Sequence, residues 1–259
     1  MAMSFEWYIY VLVFLVGIVC GILNTVAGGG SLITLPILMA IGLPDNQANV
    51  TNRLGFLTQS AVASFAFKKK KTFEWEWGLR PVIPLVLGTF LGSIIAVHVE
   101  VGVTKIAIGI LLVFMLPFMF FQPEKWLKKK VQEMPKTRWW LYIVYFFLGI
   151  YAGFLQAGIG YFLLFVFVLG AGYDLLTANS LKVFVVLFTT IASIAVFLYH
   201  SHVVAIRFDI GIAQALGQAV GAYFGVHFAV KLNPKVIRYF LIIIILIFSV
   251  RLLFFDEMI

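Results

Sequence analysis

The chain has 259 residues, of which 63% are hydrophobic and 12% charged, and its mean hydropathy is +1.05. A soluble domain carries about 25% charged residues, so these values exclude one water-soluble core and predict an all-α polytopic membrane protein. The net charge of +8 sits mainly in two clusters between apolar runs, Lys68 to Lys71 and Glu124 to Arg138; that is loop charge, and no nucleic-acid partner is expected.

The first apolar run extends from Trp7 to about Ala27 and contains the single cysteine, Cys20, so no internal disulfide can form. The preceding residues lack the Lys or Arg of a signal-peptide n-region, and the run is expected to stay as a membrane segment. A short run, Ser31 to Gly42, follows. Longer ones cover Gln47–Phe67, Leu79–Val97 and Val103–Phe121. Beyond the basic loop come Trp139–Ala157, a second short run Tyr161–Ala171, then Leu175–Tyr199, Ile210–Val230 and Val236–Phe255. The long runs approach the ~20 residues that cross a bilayer. The two short ones reach only about 18 Å as helices, so they are short or re-entrant. The expectation is about eight full transmembrane helices and two short broken ones. Placing both termini outside, and letting every run reverse the chain, puts the basic clusters in the cytoplasm.

The two halves resemble each other. "GIVCGILNTVAG" at Gly17–Gly28 matches "GIYAGFLQAGIG" at Gly149–Gly160, so Asn24 aligns with Gln156. Ala48-Asn49 aligns with Ala178-Asn179, and "LGTFLGSIIAVH" at Leu87–His98 with "LGQAVGAYFGVH" at Leu216–His227. Each half holds five segments, an odd number, so the second starts from the opposite side. The organisation expected is an inverted repeat over 1–122, a basic cytoplasmic loop over 123–138 and a second inverted repeat over 139–259. Such repeats, with interrupted helices at equivalent places, are a transporter architecture. Gly28, Gly29 and Gly30, and Gly158 with Gly160, mark the interruptions. Ser31 is expected as the N-cap of the restarted helix, and the break should offer N–H groups to an anion.

These residues carry a resemblance. The stretch "GILNTVAGGGSLITLPILMAIGLPDNQANVTNRLG" and its weaker partner "GFLQAGIGYFLLFVFVLGAGYDLLTANSLKVF" resemble the TauE/SafE sulfite-exporter family, also called the toluene-sulfonate uptake permease family. The resemblance covers nearly the whole chain; Tyr161 and Phe162 stand where the first motif has its later glycines. It implies a multi-pass transporter of the bacterial plasma membrane for a small sulfur-containing anion such as sulfite, a sulfonate or a related organosulfur acid.

Away from the ends of the apolar runs lie two cations, Arg53 and Lys182, and no carboxylate. A charge at bilayer depth costs about 3 kcal/mol on insertion scales and ordinarily faces a cavity or partner. Each follows an Asn at helical spacing, Asn49 and Asn179, and shares its face. The expected site is therefore electropositive, with the substrate as counter-charge. Arg53 and Lys182 would bind it, assisted by Asn24, Asn49, Asn52, Gln156 and Asn179 and by Gly28, Gly29, Gly30 and Ser31. Gln59, Gln214 and Gln218 are further neutral donors. The aligned His98 and His227 fall near opposite membrane faces. His200 and His202 lack a third ligand. A membrane-embedded enzyme needs a nucleophile–base pair or a metal cluster at depth; with neither in the sequence, no enzymatic activity, cofactor or metal is expected. The alternatives are a channel-like anion exporter and a permease for a non-sulfur organic anion. Uptake would need proton or sodium coupling, whereas export would not.

Overall fold

The computed structural model describes residues 5–26, 28–72, 74–100, 102–104, 106–111 and 138–228. Its helices are α1 (Trp7–Val26), α2 (Ser31–Ala40), α3 (Asp45–Lys69), α4 (Trp75–His98), α5 (Trp139–Phe154), α6 (Ile159–Phe165), α7 (Leu175–Tyr199) and α8 (Phe208–Phe228). A π-helical turn, Val166–Gly170, continues α6, and residues 106–111 are also helical. No strand occurs among the described residues. Most of the fifth predicted run, most of the basic loop and the whole tenth run lie outside them.

The apolar runs and the helices agree to within a few residues, because continuous apolar sequence in lipid must satisfy its own backbone. Three helices, α1, α4 from Glu76, and α7, are long and apolar enough to cross a bilayer. Helices α3 and α8 are 25 and 21 residues long but carry polar side chains that turn inward. Helix α5 has 16 residues and spans only about 24 Å. It stops at Phe154, short of the predicted Ala157, where the chain is interrupted.

Two helix pairs pack backbone to backbone. A Cβ placed on Gly17 would lie 2.8 Å from the Gln214 carbonyl oxygen, and those of Gly217 and Gly221 would strike the Phe14 and Ile18 carbonyls, which locks α1 to α8. On the other flank Gly88 and Gly92 of α4 meet the carbonyls of Phe146 and Ile150, while Gly149 and Gly153 of α5 meet those of Leu85 and Thr89. Close approach of this kind replaces the hydrophobic drive that lipid removes. The first helix after each terminus or loop thus seats on the fourth helix of the other half. Between the two pairs stand α3 and α7, packed on each other; α3 also touches α8, and α7 touches α4.

Polarity is arranged inside out. Asn24, Asn49, Asn52, Arg53, Gln59, Gln156, Asn179, Lys182, Gln214 and Gln218 are all buried, while Ile83, Leu87, Ile110, Phe147 and Leu216 are exposed. A lipid-facing surface accounts for this reversal. The two ends of the bundle are tied separately. At one end Tyr10 donates to Asp209 (3.1 Å), the Gly102 N–H to Asp45 (2.9 Å), and Gln47 to the Ala205 carbonyl (3.2 Å). There too Arg207 pairs with Asp209 at 2.7 Å, and that hydrogen bond raises its pKa above the ordinary guanidinium value. At the opposite end Lys70 donates to the Val226 carbonyl (2.9 Å) and Thr72 pairs with Ser180 (2.8 Å). The Lys68–Lys71 run therefore lies at the end away from the start of α1. His98 stacks edge-on against His200 at the first end, with ring centroids 5.9 Å apart, and His227 neighbours Val226 at the second.

Candidate functional site: two interrupted helices

The first interruption follows α1. Gly28 adopts φ +89°, a left-handed conformation that side chains disfavour, and its N–H returns to the Leu23 carbonyl at 3.0 Å. The second follows α5. Here Gln156 and Gly158 take φ +60° and +67°, and Gly158 precedes the first residue of α6. The two interruptions touch: a Cβ on Gly160 would lie 2.5 Å from the Gly28 Cα, and one on Gly28 would lie 2.8 Å from the Gly160 Cα. One hydrogen bond joins them directly, from the Gly158 N–H to the Ser31 hydroxyl at 2.9 Å.

Arg53 closes the end of α5. It reaches across from α3, and its Nη1 donates to the Ala152 carbonyl (2.8 Å) and to Gln156 Oε1 (3.0 Å). Its Nη2 donates to the Gly153 carbonyl (2.6 Å). Asn49, one turn earlier on α3, donates to the Phe154 carbonyl at 2.8 Å. The guanidinium carbon also stands 4.9 Å from the centre of the Phe197 ring, a cation–π distance. Arg53 Nε and Asn49 Oδ1 are buried without a partner.

Lys182 closes the end of α1 in the same way. From α7, its ammonium donates to the Asn24 carbonyl (2.8 Å) and to the side-chain oxygen of Asn179. Asn179 donates in turn to the Thr25 carbonyl at 2.6 Å. The last carbonyls of a helix carry the negative end of its dipole. Both cations therefore answer a partial negative charge made by backbone, which removes the need for a carboxylate at this depth. They do not reach toward the surface, since Arg53 and Lys182 are 1% and 2% exposed.

The restarts are stitched by side chains. Asn24 Oδ1 accepts the Ser31 N–H (3.1 Å) and Asn24 Nδ2 donates to Gln59 Oε1 (2.9 Å). In the other half Gln156 Nε2 donates to Thr190 at 2.6 Å. The expected N-cap role of Ser31 is corrected: Gly30 occupies that position and Ser31 is the first helical residue, its N–H taken by Asn24. The next two N–H groups of α2 are also engaged, Leu32 with the Gly29 carbonyl (3.1 Å) and Ile33 with that of Gly30 (3.0 Å). Gly29 makes room for the Tyr161 ring, and Gly30 for the Cys20 carbonyl and the Asn24 side chain.

Ten of the eleven predicted residues thus gather at the two interruptions. Asn52 does not join them: its Oδ1 accepts from Gln214 Nε2 at 2.6 Å, between α3 and α8. Sequence reading passed over Thr190 and treated Gln59 only as a generic donor; in the structure they take equivalent places, Gln59 bonding Asn24 and Thr190 bonding Gln156. A cavity with room for about one water opens beside Lys182, lined by Asn24, Gly28, Phe56, Gln59, Ile159, Gly160, Val183 and Val186. Among the described residues no group of three or more His, Cys, Asp or Glu is placed to hold a metal ion.

The chain is 26% identical over 247 residues to "Probable membrane transporter protein ORF9" of Sinorhizobium sp, covering 95% of this chain and 93% of that protein. It is 25% identical over 245 residues to a "Probable membrane transporter protein" of Haemophilus influenzae, at 94% coverage of each. It is 24% identical over 241 residues to "Probable membrane transporter protein YfcA" of Escherichia coli K12, covering 93% and 88%. No solved structure matches. A family model for the sulfite exporter TauE/SafE matches residues 13–252, and the chain belongs to that family of membrane transporters.

Proposed function

We propose that the protein is a secondary transporter of small sulfur-containing anions, built from two inverted repeats and working by alternating access at the level of the two interruptions. The observation that carries this reading is reciprocal closure. Helix α3 of the first half supplies Arg53 and Asn49 to the broken end of α5, and α7 of the second half supplies Lys182 and Asn179 to the broken end of α1. Equivalent residues meeting at Gly28 and Gly160 are what a pseudo-two-fold axis in the membrane plane produces. The seated pairs α1–α8 and α4–α5 then rock about that contact.

Charge supports an anion as the cargo. Two cations and several amide donors surround the interruptions, and among the described residues only one carboxylate is buried, Asp45, at the far end of α3. Placing Lys68–Lys71 in the cytoplasm puts the start of α1 outside. Moving one negative charge outward across an inside-negative membrane releases about 2.3 kcal/mol per 100 mV, so export needs no coupled ion, whereas uptake draws on protons or sodium. The sulfur chemistry rests on the family.

The test is flux into proteoliposomes of sulfite, thiosulfate, methanesulfonate, toluenesulfonate, acetate and phosphate, with and without a membrane potential and a pH gradient. Saturable flux of a sulfur anion, accelerated by the same anion on the far side, is expected. Flux without such acceleration would indicate a channel, and preference for acetate or phosphate would remove the sulfur assignment.

A further inference from the structure

The two closures are not equivalent as binding sites, and the difference lies in which donors remain free. On the Arg53 side the four Nη hydrogens face acceptors: the carbonyls of Ala152, Gly153 and, at 3.5 Å, Phe154, together with Gln156 Oε1. Gln156 uses one of its two amide N–H groups on Thr190. The remaining donor, Arg53 Nε, is buried without a partner.

On the Lys182 side donors are left over. The ammonium has three N–H groups and uses two, on the Asn24 carbonyl and Asn179. Gln59 is 2% exposed and lines the same cavity. Its orientation follows from a chain of forced assignments. The Ser31 backbone N–H can only donate, so Asn24 must present its oxygen there. Asn24 therefore presents its amide nitrogen to Gln59, and Gln59 must answer with Oε1. Its Nε2 is left without a hydrogen-bond partner, yet it is not fully buried as Arg53 Nε is.

We infer that Lys182 and Gln59 form the anion subsite of the transporter, accepting a compact monoanion whose oxygens meet the ammonium and the carboxamide N–H groups and whose apolar part lies against Phe56, Ile159, Val183 and Val186. This rests on the transport reading above and narrows it. The cavity offers donors and one formal positive charge, so a singly charged oxyanion is matched and a doubly charged one leaves a charge unpaired in a dry site. Hydrogensulfite and small alkanesulfonates fit; sulfate does not. The cavity has room for about one water, so an anion's head group enters as the Gly28–Gly160 contact parts.

The experiment is titration calorimetry of the full chain in nanodiscs with methanesulfonate, hydrogensulfite, acetate and sulfate, on wild type, Gln59→Glu, Gln59→Leu and Thr190→Val. Gln59→Glu keeps the acceptor that Asn24 needs and changes only the free end. It should weaken binding at least about tenfold while the unfolding temperature stays near that of wild type. Gln59→Leu should weaken binding too, and Thr190→Val, at the equivalent place on the closed side, should change the Kd less than about threefold. Wild-type affinity in both Gln59 variants, or an equal loss in Thr190→Val, overturns the subsite. Loss in the Gln59 variants of an affinity that proves to be for acetate upholds the subsite and overturns the sulfur cargo. A wild type that binds sulfate as tightly as methanesulfonate overturns the monoanion selectivity, and one that binds no anion overturns both readings.

Discussion

Arg53 and Lys182 do the same structural job with different thoroughness. Each crosses from one half of the chain to neutralise the broken end of a helix in the other. Arg53 presents a planar fork, and four of its five donors meet acceptors around the last turn of α5. Lys182 presents a compact charge, leaves one donor free and stands beside a cavity. On the proposed reading the difference teaches that a near-symmetric frame can divide its labour: the saturated closure stiffens one interruption, and the unsaturated one keeps the capacity to bind.

Removing each cation tests that division most severely. Arg53→Met leaves the carbonyls of Ala152, Gly153 and Phe154 facing an apolar side chain, and a loss of about 3–5 kcal/mol is expected, as for breaking other buried charge networks. Lys182→Met should cost roughly half as much, because water entering the cavity can serve the Asn24 carbonyl. Chemical unfolding in micelles followed by circular dichroism measures both, and equal losses would end the claim that the closures differ. Gly28→Ala comes next. It places a side chain at a left-handed φ and drives a Cβ against Gly160, for about 2–3 kcal/mol together. Gly160→Ala meets only the second obstacle and should lose less stability, while both variants should slow flux strongly. Thr190→Val takes an acceptor from Gln156 and should cost about 1–2 kcal/mol in the same unfolding assay. The smallest effect is expected from Asn52→Leu combined with Gln214→Leu. That change removes both partners of one buried bond, and Gln214 Oε1 already lacks a partner, so stability should stay within about 1 kcal/mol and flux should be unaltered.

Much of this was legible in the residues. Apolar run length gave the helices, because lipid enforces local hydrogen bonding, and α7 was bounded at both ends by Asp174 and His200 as read. Gly28 and Gly158 announced their left-handed turns by being glycines in otherwise helical sequence. The spacing of Asn49 to Arg53 and of Asn179 to Lys182 put each amide on the face of its cation, and each pair reaches one helix end. What each pair would face was not legible. A sequence shows a cation without a carboxylate but hides the helix ends that serve as its counter-charge, since those acceptors are backbone and carry no residue type. Gln156 in a left-handed conformation was equally hidden, because nothing in its neighbours requires it. Asn52 was misplaced for a simpler reason: it is adjacent to Arg53 in sequence and so points to a different side of α3, toward α8.

The seating of α1 on α8 reaches past transport into biogenesis. Tyr10 and its partner Asp209 are 199 positions apart, and at ribosomal speeds of about 5–20 residues per second α1 waits on the order of ten to forty seconds before α8 is made. During that interval the bare backbone strip at Gly17 and Gly21 has only lipid or the insertion machinery as company. Cutting the gene at the basic loop would therefore yield two fragments that are each incomplete at their glycine seams, and recovery of a stable protein from co-expressed fragments would depend on their meeting in the same membrane.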